Sequence, residues 1–196
     1  MHASHKNSNR KTLLLVVLVC LAPVIASYLS YYVFKPAGGV VNYGKLIEPA
    51  QPIPPSLGVQ AENGEVIPFQ TLKGKWLLLA VDASTCSENC VKKLYFMRQV
   101  RVAQGIERER VATVWLRTDN APVSPVVQQA YPEMRFLSAN ATALAKWLPV
   151  EGGMQLADYI YLVDPSGNLI MRFPPAPDPG KIKKDLSKLL KWSSIG

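Results

Sequence analysis

Between Lys11 and Lys35 the chain carries no charged residue; residues 12–34 read TLLLVVLVCLAPVIASYLSYYVF. An apolar run of that length matches the ~20 residues that cross a ~30 Å hydrocarbon core as an α-helix. In lipid every backbone polar group has to be satisfied within the segment, so the run is predicted to be a transmembrane helix, with a kink at Pro23 tolerated. Tyr28, Tyr31 and Tyr32 gather at its far end, where amphipathic rings favour the membrane interface. A cleavable signal peptide is the competing reading, with an apolar core of ~7–15 residues followed by a small-residue cleavage site. Ala26 and Ser27 are small, but the apolar run continues past them, so an uncleaved anchor is expected. Lys6, Arg10 and Lys11 precede the run and only Lys35 and Lys45 follow closely, which predicts residues 1–11 in the cytoplasm and the remainder across the membrane.

The net charge of +8 invites a nucleic-acid reading until it is located. Half of it belongs to residues 1–56, where it is a topology signal, and the rest is spread thinly over the remaining 140 residues. No basic run interleaved with exposed aromatics occurs, so nucleic acid is not an expected partner. Residues 35–56, KPAGGVVNYGKLIEPAQPIPPS, are dense in Pro and Gly and are predicted to be a semi-rigid tether.

Residues 57–196 hold the expected domain. A hairpin is predicted over 58–69 with Asn63-Gly64 at its turn. The continuous apolar run WLLLAVDA, 76–83, predicts a central strand buried on both faces, and RVATVWLRTD a second one. Helices are predicted after the first of these strands, ending near Gly105, at SPVVQQAY, at NATALAKWL with Asn140 as its cap, and at the amphipathic end DPGKIKKDLSKLLKW. MRFLSA predicts a brief strand, and DYIYLVDPSGNLIMRFP a hairpin turning at 164–167. Alternating strands and helices closed by a hairpin and helix make an α/β domain of thioredoxin-like organisation on a single N-terminal transmembrane helix.

Of three cysteines, Cys20 lies inside the apolar run, leaving Cys86 and Cys90 as the pair in the domain. Residues four apart on a helix share a face with Cβ atoms ~5–6 Å apart, whereas a disulfide wants about 3.5–4.5 Å. An ideal helix therefore has to loosen to close the bridge, which predicts a somewhat strained, reducible bond. The same two sulfurs, as thiolates, suit a soft ion such as Cu(I). A helix amino terminus with Lys92 and Lys93 nearby favours the thiolate, and Glu88 opposes it. Cys86, nearer the helix start, is the expected attacking thiol and Cys90 the resolving one. An inert disulfide is the plain alternative, although so short a loop gains little from cross-linking. Without a histidine beyond His5, no Ser-His-Asp set can form in the domain. The five lysines of the last helix read as a solvated face, or as a surface for anionic headgroups or an acidic partner.

The single anchor, the LKGKWLLLAVD strand, the CxxxC spacing after it and the late DYIYLVDPSGNL resemble the Sco (SenC) family over about residues 57–190. Those are membrane-anchored thioredoxin-like proteins that help assemble the copper sites of cytochrome c oxidase. The chain is most similar to a bacterial branch of oxidase-assembly membrane proteins related to Sco. The resemblance implies a bacterial inner-membrane protein with a periplasmic domain. Its implied partners are an oxidase subunit or other oxidase assembly factors, and its implied cargo is copper. Sco proteins resemble one another in a third copper ligand, a histidine before the late hairpin; here that loop is EGGMQLADYIY and has none. Met154 is the one soft donor in the loop and the candidate replacement, or else it packs on the domain; Met97, about 10 Å along the helix from Cys90, is expected to be core. Thioredoxin-type reductases resemble one another in a CxxC pair and a proline before the third strand. The longer spacing and the missing proline here predict action on one partner over general dithiol exchange. Whether that action makes the chain an enzyme, an assembly chaperone or a docking module stays open in the sequence.

Overall fold

The computed structural model describes residues 5–32 and 42–193, which fall into two units, Met1–Val41 and Asn42–Gly196. Residues 1–4 of the expected cytoplasmic end, 33–34 of the expected transmembrane helix and 35–41 of the expected tether lie outside the described residues. The first unit is one helix, α1 (His5–Tyr32), with Pro23 inside it. Its stretch Arg10–Ser30 is long and apolar enough to cross a membrane. Leu13, Leu18 and Val24 stand exposed along it, a run of apolar surface that suits lipid and not water.

The second unit is built on the two apolar runs. They form β4 (Trp76–Asp82) and β5 (Val111–Arg117), parallel neighbours in register from Trp76↔Val111 to Asp82↔Arg117. α2 (Glu88–Val102) makes the crossover between them. After β5 come α3 (Pro125–Ala130), β6 (Arg135–Ala139) parallel to β5, and α4 (Ala141–Trp147). Asn140 caps α4 as expected, its side chain accepting from the Ala143 N–H at 3.0 Å. The late hairpin is β7 (Ile160–Val163) and β8 (Asn168–Phe173), with β7 antiparallel to β4. At its turn Gly167 sits at φ +87°, a left-handed position that costs glycine nothing. α5 (Pro179–Trp192) closes the chain, capped by Asp178.

Two small strands, β2 (Gly58–Ala61) and β3 (Val66–Pro68), form the early hairpin, with Gly64 of the expected Asn63-Gly64 turn at φ +84°. With β1 (Lys45–Pro52) the sheet runs β1-β8-β7-β4-β5-β6-β2-β3. β4 is enclosed on both sides because its alternate residues feed two cores. Trp76, Leu78 and Ala80 pack with Leu94 and Met97 of α2 and Ile182, Leu186 and Leu190 of α5. Leu77, Leu79 and Val81 pack with Leu144 and Trp147 of α4. Met97 is core, as read from the sequence.

The expected tether is shorter than its composition implied. The globular unit begins at Asn42, and residues 45–52 of the predicted 35–56 linker are strand β1, paired antiparallel with β8 at the sheet edge. Proline is admissible there because an edge strand need not donate every N–H. Gly44, just before β1, is buried so tightly that a Cβ would lie 2.3 Å from Met171 Sδ and 2.9 Å from the Phe173 ring. Gly44→Ala is expected to cost about 1–3 kcal/mol by overpacking, read as a lower urea midpoint. An unchanged midpoint would mean β1 adds nothing to the domain.

Candidate redox site

β4 ends at Asp82, and the next eight residues deliver the cysteines. The Cys86 N–H donates to the Ala83 carbonyl at 3.0 Å, closing a turn, and Cys86 takes φ +41°. Ser87 is the N-cap of α2 and Cys90 lies in the first turn. The two sulfurs are bonded to each other, with Cα atoms 5.1 Å apart. The helix does not loosen to allow this. Cys86 stands outside it, and its left-handed backbone, worth ~1 kcal/mol of strain for a residue with a Cβ, turns the side chain back over the first turn. The premise that both cysteines share a helix face is thereby corrected.

The two sulfurs differ in access. Cys90 has 0% of its surface exposed and packs among Leu94, Met97 and Trp115, whereas Cys86 is half-buried at the rim of the same cluster. Ser87 makes no side-chain cap bond, so no cap hydroxyl shields the positive end of α2 beside Cys86.

The adjacent lysines have opposite fates. Lys92 is exposed, its Nζ 5.7 Å from the centre of the Phe96 ring. Lys93 turns inward, pairs with Asp82 at 3.0 Å, and also donates to the carbonyls of Val81 and Ala157. It thus ties the end of β4, the turn of α2 after Cys90, and the segment before β7 at one point. A cleft of about 200 Å³ opens beside this tie, lined by Asn89, Lys92, Phe96, Asp158 and Pro177 among others.

The turn carrying Cys86 is held from the other side by the loop after β5. Asp119 accepts from the Ser84 N–H at 3.0 Å and from its hydroxyl, and that hydroxyl also reaches the Ala121 carbonyl at 2.9 Å. Arg117, buried at the end of β5, donates to the same carbonyl. The Ser84 hydroxyl bond, chiefly, holds the Asp119 carboxyl below the usual carboxylate range, against the opposing effect of burial. The stability this contributes is complete above the unfolded value near 3.8 and is lost as pH falls through the lowered folded value. Urea midpoints measured from about pH 6 downward are expected to show an acid limb that Asp119→Asn reduces. An identical limb in the variant would refute the assignment.

Met154 is not gathered into this arrangement. The start of its loop is fastened away from the cysteines: Glu151 pairs with Arg172 at 2.7 Å and with Lys45, and Arg172 stacks 4.4 Å over Tyr159. Met154 itself is 46% exposed and packs on neither core. Among the described residues no group of three His, Cys, Asp or Glu is placed to hold a metal ion. The sequence reading took Lys93 as a charge beside the thiolate and missed its pairing with Asp82, and it missed the Ser84–Asp119 bond; neither has a local signal, since both are made across the fold.

A central strand followed by a turn with a left-handed cysteine bridged into the first turn of the next helix, in a mixed sheet covered on both faces, defines a thioredoxin-like domain. The chain belongs to the transmembrane-like, thioredoxin-like family, whose C-terminal domain matches residues 76–193. No curated protein matches it. Among solved structures it is similar to ScoI of Bradyrhizobium japonicum with copper bound, at 22% identity over 67% of this chain and 96% of that one, TM-score 0.50. It is similar to yeast Sco1 with copper bound, at 18% identity over 70% and 91%, TM-score 0.54. A third is a putative electron transfer protein of Aquifex aeolicus, at 13% identity over 71% and 96%, TM-score 0.55. Identities this low carry the fold alone, and the fold is Sco-like.

Proposed function

We propose that the chain is a membrane-anchored assembly factor for cytochrome c oxidase, anchored through α1 in a bacterial inner membrane. Its N-terminus is cytoplasmic and its globular unit periplasmic, and it acts by thiol–disulfide exchange at Cys86 and Cys90. The observation that carries the chemistry is the unequal access of the two bonded sulfurs. In the reduced form the Cys86 thiolate attacks a disulfide of the partner, displacing one partner sulfur as a thiolate and forming a mixed disulfide. The Cys90 thiolate then attacks Cys86, re-forming the internal bridge and releasing the partner as a dithiol. Two electrons pass to the partner, and run backwards the same steps oxidise it. The oxidase role rests on the Sco-like fold, one neighbour of which, BsSco, is described as a member of the Sco family of cytochrome c oxidase assembly proteins.

Copper is the second reading, favoured by the copper-bound relatives. Reduced Cys86 and Cys90 supply two soft thiolates, and transient Cu(I) would be cargo handled by that pair without Met154. One variant tests both. Cys86→Ser/Cys90→Ser is expected to abolish oxidase maturation in cells and to remove anaerobic Cu(I) binding by the purified chain. Oxidase activity surviving the change would leave a docking module with a structural bridge. Unchanged Cu(I) affinity would remove copper from the pair.

A further inference from the structure

α5 carries its apolar residues inward, with Ile182, Leu186 and Leu190 buried in the core. Lys181, Lys184, Lys188 and Lys191 recur at intervals of three and four on the opposite side, so they form one stripe along the helix. Lys183 flanks it, and Lys181, Lys183, Lys184 and Lys191 are exposed. The only acid on α5, Asp185, is buried and pairs with Lys188 at 4.0 Å, and Glu107 of the adjoining turn pairs with Arg110 at 2.6 Å. Trp192, four residues beyond Lys188, lies at the end of this stripe with 84% of its surface exposed. An indole that stands in water beside a row of ammonium groups is costly in a free domain and favoured at a lipid headgroup layer.

The first residues of the globular unit lie against this same helix. The Tyr43 and Gly44 N–H groups donate to Asp185 at 2.7 and 2.9 Å, and Lys181 Nζ lies 5.2 Å over the Tyr43 ring. We propose that the outer face of α5 rests on an anionic bilayer surface, with Lys181, Lys184 and Lys191 against lipid phosphates and Trp192 at the headgroup level. The proposal rests on α1 being a membrane span and is independent of the cysteine chemistry.

The test uses the full chain in lipid vesicles and the fluorescence of its tryptophans. Trp76, Trp115 and Trp147 are each no more than 4% exposed, so lipid-borne quenchers report on Trp192. Vesicles containing dibrominated phosphatidylglycerol are expected to quench that emission, and purely zwitterionic vesicles of dibrominated phosphatidylcholine to leave it. Salt at about 1 M, where the screening length falls to ~3 Å, is expected to reverse the quenching. Lys181→Gln/Lys184→Gln/Lys191→Gln should lose most of it, and Trp192→Phe should leave no quenchable emission. Equal quenching in both vesicles, or none in the anionic ones, overturns the proposal. In the second case, emission shifted by an acidic polypeptide would assign the stripe to a protein partner instead. A chain that fails to float with vesicles at all would overturn the anchor reading as well, which separates the two failures.

Discussion

Chains carrying Cys90→Ser are expected to accumulate as a mixed disulfide with their partner, while Cys86→Ser chains accumulate none. The asymmetry follows from access. Cys86 is only partly buried at the rim of the core, whereas Cys90 has no exposed surface and can reach only its neighbour. Removing the resolving thiol leaves the covalent intermediate no way forward. Non-reducing gels of cells expressing each variant, with the trapped band identified by mass, make the measurement. A serine hydroxyl buried among Leu94 and Met97 costs about 1–3 kcal/mol by itself, so Cys90→Ala serves as the partner variant with an apolar replacement. Trapping by Cys86→Ser to the same extent would reverse the assigned roles, and trapping by neither would leave the exchange without an attacking sulfur.

The second large effect is expected at Lys93. Replacing it with methionine leaves the Asp82 carboxylate, whose side chain is only 16% exposed, without its partner, and frees the carbonyls of Val81 and Ala157. Breaking one side of a buried pair costs about 3–5 kcal/mol, whereas removing both charges together is often close to neutral. Lys93→Met should therefore lower the unfolding free energy by about that amount, and Asp82→Asn/Lys93→Met should recover most of it. Urea unfolding of the two variants against the parent decides the matter. A double variant as unstable as the single one would mean that the bonds to Val81 and Ala157, and not the charge pair, are what Lys93 supplies.

The sequence disclosed the parts of this fold whose signals are local. The uninterrupted run 76–82 could only be a strand covered on both faces, Asn140 and Pro125 marked helix starts, and Asp164 to Gly167 marked a turn. β1 stayed hidden because Pro49, Pro52 and the neighbouring glycines argue against a strand, and its partner, β8, lies more than a hundred residues away. At the candidate site, the pairing of the two cysteines was legible from their spacing and from nearness to the helix start. The left-handed turn at Cys86 was not, since it depends on the Ala83 carbonyl behind it and on the Asp119–Ser84 tie across the sheet. Lys92 and Lys93 make the same point most sharply: identical neighbours, one in solvent and one enclosed, separated only by which way α2 faces. Met154 looked like a donor because its loop precedes the hairpin. It stands exposed and packs on neither core, with Glu151 at the start of the loop held by Arg172 and Lys45 and Ala157 near its end held by Lys93.

The pairing of β1 with β8 joins the first strand of the globular unit to the last one, Lys45 beside Arg172. A growing polypeptide therefore cannot finish its sheet partway through synthesis. Until residue 173 is available, residues 45–52 have nothing to pair with, and the β7 edge stays open to strangers. That interval, late and of long contact range, is when a holding chaperone would matter most, and chains truncated before β8 should be cleared by proteases.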